Sequence, residues 1–186
     1  MKFVYALNSS NGASKRQRQK GMSLIQALFV LVLGGIALSV ALNQYQSGEK
    51  SSRVQKNVGD VMEIVGQAKS NYGQYSYKNL TTEVAVKGGV IPSRLADTAT
   101  TAKNDFGGDI TLIATAPADG TATLTFTNIL PEMCTQLVAA TAGSARLISV
   151  GGTVVKPMDG ELNMGTLSDQ CTAAASAAVV WVIGRT

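Results

Sequence analysis

The sequence predicts an α+β fold, a long N-terminal helix lying across an antiparallel β-sheet. Three observations point there. Leu24 to Leu42 is almost continuously apolar, and no Asp, Glu, Lys or Arg falls between Lys20 and Glu49. Beyond it Val54, Val58, Val61, Met62, Val65 and Ala68 recur at helical spacing. Further on, Asp109–Thr115 (DITLIAT) and Thr121–Thr127 (TATLTFT) alternate as half-buried strands do.

The chain opens on a basic leader, 1–21, that ends at Gly21. A secretory signal carries its small-residue cleavage site after the apolar segment. Here the glycine precedes it, so a cut behind Gly21 frees the apolar segment with Met22 as its first residue. Charge follows the same division. Lys2, Lys15, Arg16, Arg18 and Lys20 hold five of the 16 basic residues, and all 12 acids lie beyond Gly21, leaving 11 against 12 and a net −1. A positive flank of this kind holds an N-terminus on the cytoplasmic side of a membrane. The remainder has no basic footprint for nucleic acid.

The helix is expected over 22–72. Its apolar run reaches the roughly 20 residues that span a bilayer, interrupted by Gln26, with Ser39 able to bond back to its own helix. By itself that run reads as an ordinary membrane anchor. Gly34 and Gly35 cost about 1 kcal/mol each against alanine but permit close helix approach. The later stripe is one-sided, with Lys56, Asp60, Glu63 and Lys69 falling off it. No proline interrupts Met22 to Asn71, and Gly48 and Gly59 are the weak points.

A globular α/β region is expected over 73–186. Asn71–Asn79 reads as a turn carrying Tyr72, Tyr75 and Tyr77, whose packing on the helix is the ordinary reading and a receptor surface the other. Val84, Val86 and Leu95 are expected to anchor a short helix and strand, with Pro92 marking a turn. Lys103–Asp109 is a sharp glycine turn leading into a hairpin closed by 116–120. Pro131 opens a helix, with Asn128 a candidate cap, Cys134, Leu137, Val138 and Thr141 on one face, and Gly143 at its end. Ala145–Val150 and Thr153–Val155 read as strands, 158–172 as loop, and Ala177–Ile183 as a central strand covered on both faces.

The chain has no histidine, which removes Ser-His-Asp and Cys-His catalysis and the usual zinc sites. The acid pairs Asp105 with Asp109 and Asp159 with Glu161 flank turns, and two carboxylates fall short of a calcium site. Neither Gly88-Gly89 nor Gly151-Gly152 has the context of a phosphate cradle. No enzyme chemistry, metal or cofactor is expected. Cys134 and Cys171 are too far apart for a CxxC motif; in an exported domain they pair as a structural disulfide, and otherwise they remain two buried thiols.

The junction Lys20-Gly21-Met22-Ser23-Leu24-Ile25-Gln26 resembles the leader of type IV pilins. The long leader and Met22 look like the type IVb branch, and Asn104-Asp105-Phe106-Gly107-Gly108 before a strand resembles its bundle-forming kind. The resemblance implies cleavage by a prepilin peptidase behind Gly21 and methylation of the Met22 amine. It also implies a Cys134–Cys171 closed C-terminal region and a structural role. That role is a subunit polymerising through its apolar helix into an extracellular filament for adhesion, aggregation or mating contact. A minor tip pilin or adhesin and a type II secretion pseudopilin are the alternatives. Implied partners are copies of itself, minor pilins, the inner membrane before assembly, and an assembly platform with its motor ATPase. One position departs from the family: Gln26 stands where most members carry a glutamate thought to meet a neighbouring subunit's terminal amine. It can hydrogen-bond but forfeits the charge.

Overall fold

The computed structural model describes residues 24–115 and 120–184, leaving out the side chains of 40–47. The chain divides into two compact units, Met1–Gln44 and Tyr45–Thr186. Helix α1, Leu24–Tyr72, begins in the first. Every side chain described in that unit, 24–39, is exposed. Ser39 donates to the Ile36 carbonyl at 2.8 Å, the back-bond its place in an apolar helix calls for.

In the second unit the remaining turns of α1 join α2 (Thr82–Lys87), α3 (Pro131–Thr141) and α4 (Met164–Thr172) around an antiparallel sheet. Its strands are β1 (Ala102–Lys103), β2 (Asp109–Ala114), β3 (Thr121–Ile129), β4 (Leu147–Val150), β5 (Thr153–Lys156) and β6 (Ala177–Gly184), in the order β1-β2-β3-β6-β4-β5. Register follows the alternation in sequence: Leu124 faces Trp181 and Phe126 faces Val179, all fully buried. Phe126 and Trp181 meet edge to face with centroids 5.5 Å apart, a favoured aromatic geometry. The Trp181 indole N–H, buried and needing an acceptor, donates to Thr141 Oγ1 at 3.0 Å. Thr141 in turn donates to the Leu137 carbonyl, so the buried face of α3 holds the central strand by a polar relay.

Several expectations are corrected. The buried stripe of α1 includes Ile64 and the polar Asn57 and Asp60, while Met62 turns outward at 47% exposure. Asp60 can be inside because Arg94 reaches it, a cation from 34 residues away in sequence. Val84 and Val86 both belong to α2, and the strand of that region is β1. Asn128 does not cap α3. The N-cap is Leu130 without a side-chain bond, and Asn128 instead adopts φ 60° and donates to the Phe106 carbonyl. Helix α3 ends at Thr141, and Gly143 lies in a following 3₁₀ turn. The stretch 158–172, expected as loop, contains α4, started by Asn163 accepting from Thr166 N. Strand β6 is central but buried on one face only: Ala178, Val180 and Val182 are half-buried. The 116–119 part of the hairpin turn lies outside the described residues.

Candidate assembly surface

Gly21 and Met22, the expected cleavage and methylation positions, lie outside the described residues. Gln26 sits in the first turns of α1, exposed. Around it Leu24, Ile25, Leu28, Phe29, Val30, Leu31, Val32, Leu33, Ile36 and Leu38 are 51–82% exposed. At 3.6 residues per turn these positions encircle the helix, so no polar face is left to be the wet side. Each such side chain stabilises a covered state by roughly 1.5–3 kcal/mol over exposure to water. A helix of this kind is stable only in lipid or packed against other helices. Among the described residues no helix is long and apolar enough to cross a membrane, and the side chains of 40–42 at the end of the expected span are not among those described.

The Asn104–Gly108 turn is held from within. Asn104, 5% exposed, accepts from Phe106 N at 2.9 Å and Gly108 N at 3.0 Å. Its amide donates to the Thr127 carbonyl on β3 at 2.8 Å. A Cβ at Gly108 would fall 1.9 Å from that carbonyl oxygen, which is why the turn ends in a residue without one. Gly107 has φ 76°, a conformation glycine adopts without cost. The motif thus works as a clasp between the start of β2 and the end of β3.

Cys134 on α3 and Cys171 on α4 are joined in a disulfide, both fully buried, with Cα atoms 5.6 Å apart. One member of each acid pair is held in an ion pair: Asp105 meets Lys56 at 2.8 Å and Asp159 meets Arg146 at 2.5 Å. Among the described residues no group of three or more His, Cys, Asp or Glu is placed to hold a metal ion. The tyrosines separate. Tyr77 is buried and stacks on Tyr72 with centroids 6.2 Å apart, whereas Tyr75 is 81% exposed.

One polar cluster went unread in the sequence. Arg94 bonds Asp60 at 2.5 Å and Glu63 at 2.6 Å, tying the segment after Pro92 to α1. The Glu63 bond, then the Asp60 bond, drives the guanidinium's pKa further above its already high value. The available signal was Asn57 and Asp60 standing between Val54, Val61 and Ile64 at helical spacing.

An antiparallel sheet packed with helices, preceded in the chain by a nearly all-apolar helical stretch and closed by a cysteine-bridged helix pair, defines a subunit of the pilin kind. Residues 50–184 match the family described as PilS N terminal, and the chain belongs to that family. It is similar to proteins called "Major structural subunit of bundle-forming pilus". One, from Escherichia coli O127:H6, is 26% identical over 171 residues, covering 89% of this chain and 84% of that one. Another, from Escherichia coli O111:H-, is 27% identical over 136 residues, covering 70% and 69%. Among solved structures a type IV pilin, TcpA from Vibrio cholerae El Tor biotype, aligns at 14% identity with a TM-score of 0.46, over 68% of this chain and 98% of that one.

Proposed function

We propose that the chain is a structural subunit of a type IVb pilus, not an enzyme. The observation that carries this is the apolar girdle of α1: side chains 24–39 present no polar face and so demand other helices or lipid. Its relatives by sequence are major structural subunits, which supports a place along the filament over a tip pilin or pseudopilin.

In this reading the leader 1–21 is removed by a prepilin peptidase, Met22 is methylated, and the 22–72 helix serves first as inner-membrane anchor and then as filament core. Residues 73–186 form the outer, extracellular part. Lipid tails are as apolar as the helix, so moving it from membrane to filament gains packing and polar pairing but little hydrophobic free energy. In this reading Gln26 brings an amide to such pairing in place of a carboxylate. With no nucleotide cradle in the sequence, the work of extraction falls to the assembly platform and its motor ATPase; minor pilins complete the machine.

Intact mass and N-terminal sequencing, in cells with and without a prepilin peptidase, test the pathway. The expected mature chain starts at methylated Met22 in peptidase-positive cells alone. An identical, uncut N-terminus in both would leave a plain anchored domain.

A further inference from the structure

The sheet gives one face to the core and leaves the other open. Leu112, Leu124, Trp181 and Ile148 point inward and are fully buried. The residues between them form two rows that cross the strands in register. Thr111 faces Thr125, Thr125 faces Val180, Val180 faces Ser149, and Ser149 faces Val154. Next to that row Ile113 faces Thr123, Thr123 faces Val182, and Val182 faces Leu147. Directly paired residues stand on the same side of a sheet, so both rows share the outer face. Val154 and Ile113 are 48% and 47% exposed, Thr111 is exposed, and the others are half-buried.

None of these side chains is charged, although ion pairs such as Lys103–Asp97, Arg146–Asp159 and Arg94–Asp60 stand elsewhere on the unit. A charged side chain cannot pair with its own copy. A threonine or serine hydroxyl can, because it both donates and accepts. Valine, isoleucine and leucine likewise meet their own kind without penalty. The rows cross β2 to β5 at about 4.8 Å per strand, and β3 runs about 20 Å from Thr121 to Thr127, so the face measures roughly 400 Å². Two such faces together bury on the order of 800 Å², short of the roughly 1,000 Å² of a specific stable pair. Two lone subunits therefore do not stay together, whereas the same contact repeated along two filaments is strengthened by avidity.

We infer that this open face is a self-docking surface, covered by the same face of a subunit in a neighbouring filament. Short side chains suit it to the face-to-face packing of two sheets about 10 Å apart. Within one filament each copy follows the last by a rotation and a rise, so contacts there join unlike patches. A patch that meets itself belongs to a two-fold contact and joins two filaments. This rests on the filament reading above and adds a contact between filaments to those within one.

The test uses filaments of the full chain sheared from piliated cells, scoring filament yield and the fraction that sediments as side-by-side aggregates. Thr125→Lys and Thr125→Glu, inside the first row, are each expected to hold yield within about twofold and lower the aggregated fraction at least about tenfold, since like charges then oppose. Thr111→Lys, at the exposed end of that row, is expected to do the same and keeps the readout if a Thr125 variant folds poorly. Mixing filaments of Thr125→Lys with those of Thr125→Glu is expected to restore aggregation to within about twofold of the wild type. Wild-type aggregates are expected to persist in about 1 M NaCl, where surface charges are screened beyond roughly 3 Å. Undiminished aggregation in the variants, dispersal by salt, or mixed pools that stay apart each overturn the docking. So do wild-type filaments that never aggregate, and loss of filaments in Thr111→Lys at a normal subunit level, which would place the face inside the filament. All of these leave the filament reading intact. Absence of filaments from the wild type under piliating conditions overturns that reading itself.

Discussion

The two flanks of the sheet are fastened by different chemistry. On the β4–β5 side, α3 and α4 are clamped by a buried disulfide and by Trp181 donating to Thr141, in a setting of Leu137, Val138, Ile148 and Leu167, all fully buried. On the β1–β2 side the chain from 88 to 108 has little regular structure; it buries Val90, Ile91, Leu95 and Ala102, and polar contacts fasten the rest: Arg94 on Asp60 and Glu63, Lys56 on Asp105, and Asn104 across to β3. An apolar, covalently closed flank resists separation by chain entropy and burial. A polar flank depends on each buried group keeping its partner, because an abandoned donor or acceptor costs its full desolvation. The first should tolerate local substitution and fail when the cross-link goes; the second should fail at single side chains.

The largest effect separates the flanks directly. Replacing both Cys134 and Cys171 with alanine reopens a loop of 37 residues and is expected to cost about 4 kcal/mol on the chain-entropy estimate. Urea unfolding of the full chain in detergent, followed by Trp181 fluorescence, measures it. Near-wild-type stability in the double alanine variant would show that burial alone fastens this flank.

On the polar flank Asn104→Ala is expected to cost roughly 2–3 kcal/mol, since Phe106 N and Gly108 N lose their acceptor and the Thr127 carbonyl its side-chain donor. A urea midpoint that drops without change of slope checks it. A loss below about 0.5 kcal/mol would mean that water replaces the amide and that this flank is less brittle than its bonding implies.

This contrast also explains what the sequence let be read. The apolar flank was legible: alternation located β3, a continuous apolar run located β6, and helical spacing placed Cys134, Leu137, Val138 and Thr141 inward, because burial is written into residue type and period. The same logic identified the stripe of α1 at Val54, Val61, Val65 and Ala68. It misplaced Asp60, because a carboxylate is buried only when something distant satisfies it, and Arg94 sits in a stretch with no periodicity. Helix α4 was missed for a related reason. Met164–Thr172 (MGTLSDQCT) buries only Leu167 and Cys171, too few apolar positions to show a period, and the disulfide helps fix its place. Asn128 fell to competition: its side chain was worth more bonded to Phe106 in the turn than capping a helix that already had proline in its first turn. Of the assembly surface, the apolar helix was evident from the first reading.

The smallest expected effect lies on a surface ion pair of the apolar flank, Arg146 with Asp159, and asks whether charge matters there. Arg146 holds the Asp159 carboxyl below its ordinary range, chiefly through their hydrogen bond, and Asp159 holds the guanidinium higher in return. A carboxyl with a depressed folded pKa adds stability above its unfolded value, near 3.9, and loses it as pH falls through the folded value. Asp159 is 58% exposed, so solvent screens most of the attraction. Asp159→Asn keeps a residue tolerant of the left-handed backbone at φ 57°, removing the charge without straining the turn. Melting curves of the wild type and this variant should differ slightly at pH 7 and converge as the pH falls below the carboxyl's lowered pKa. A gap that persists in acid would trace to the hydrogen bond or the turn, and charge would then contribute nothing to holding this flank.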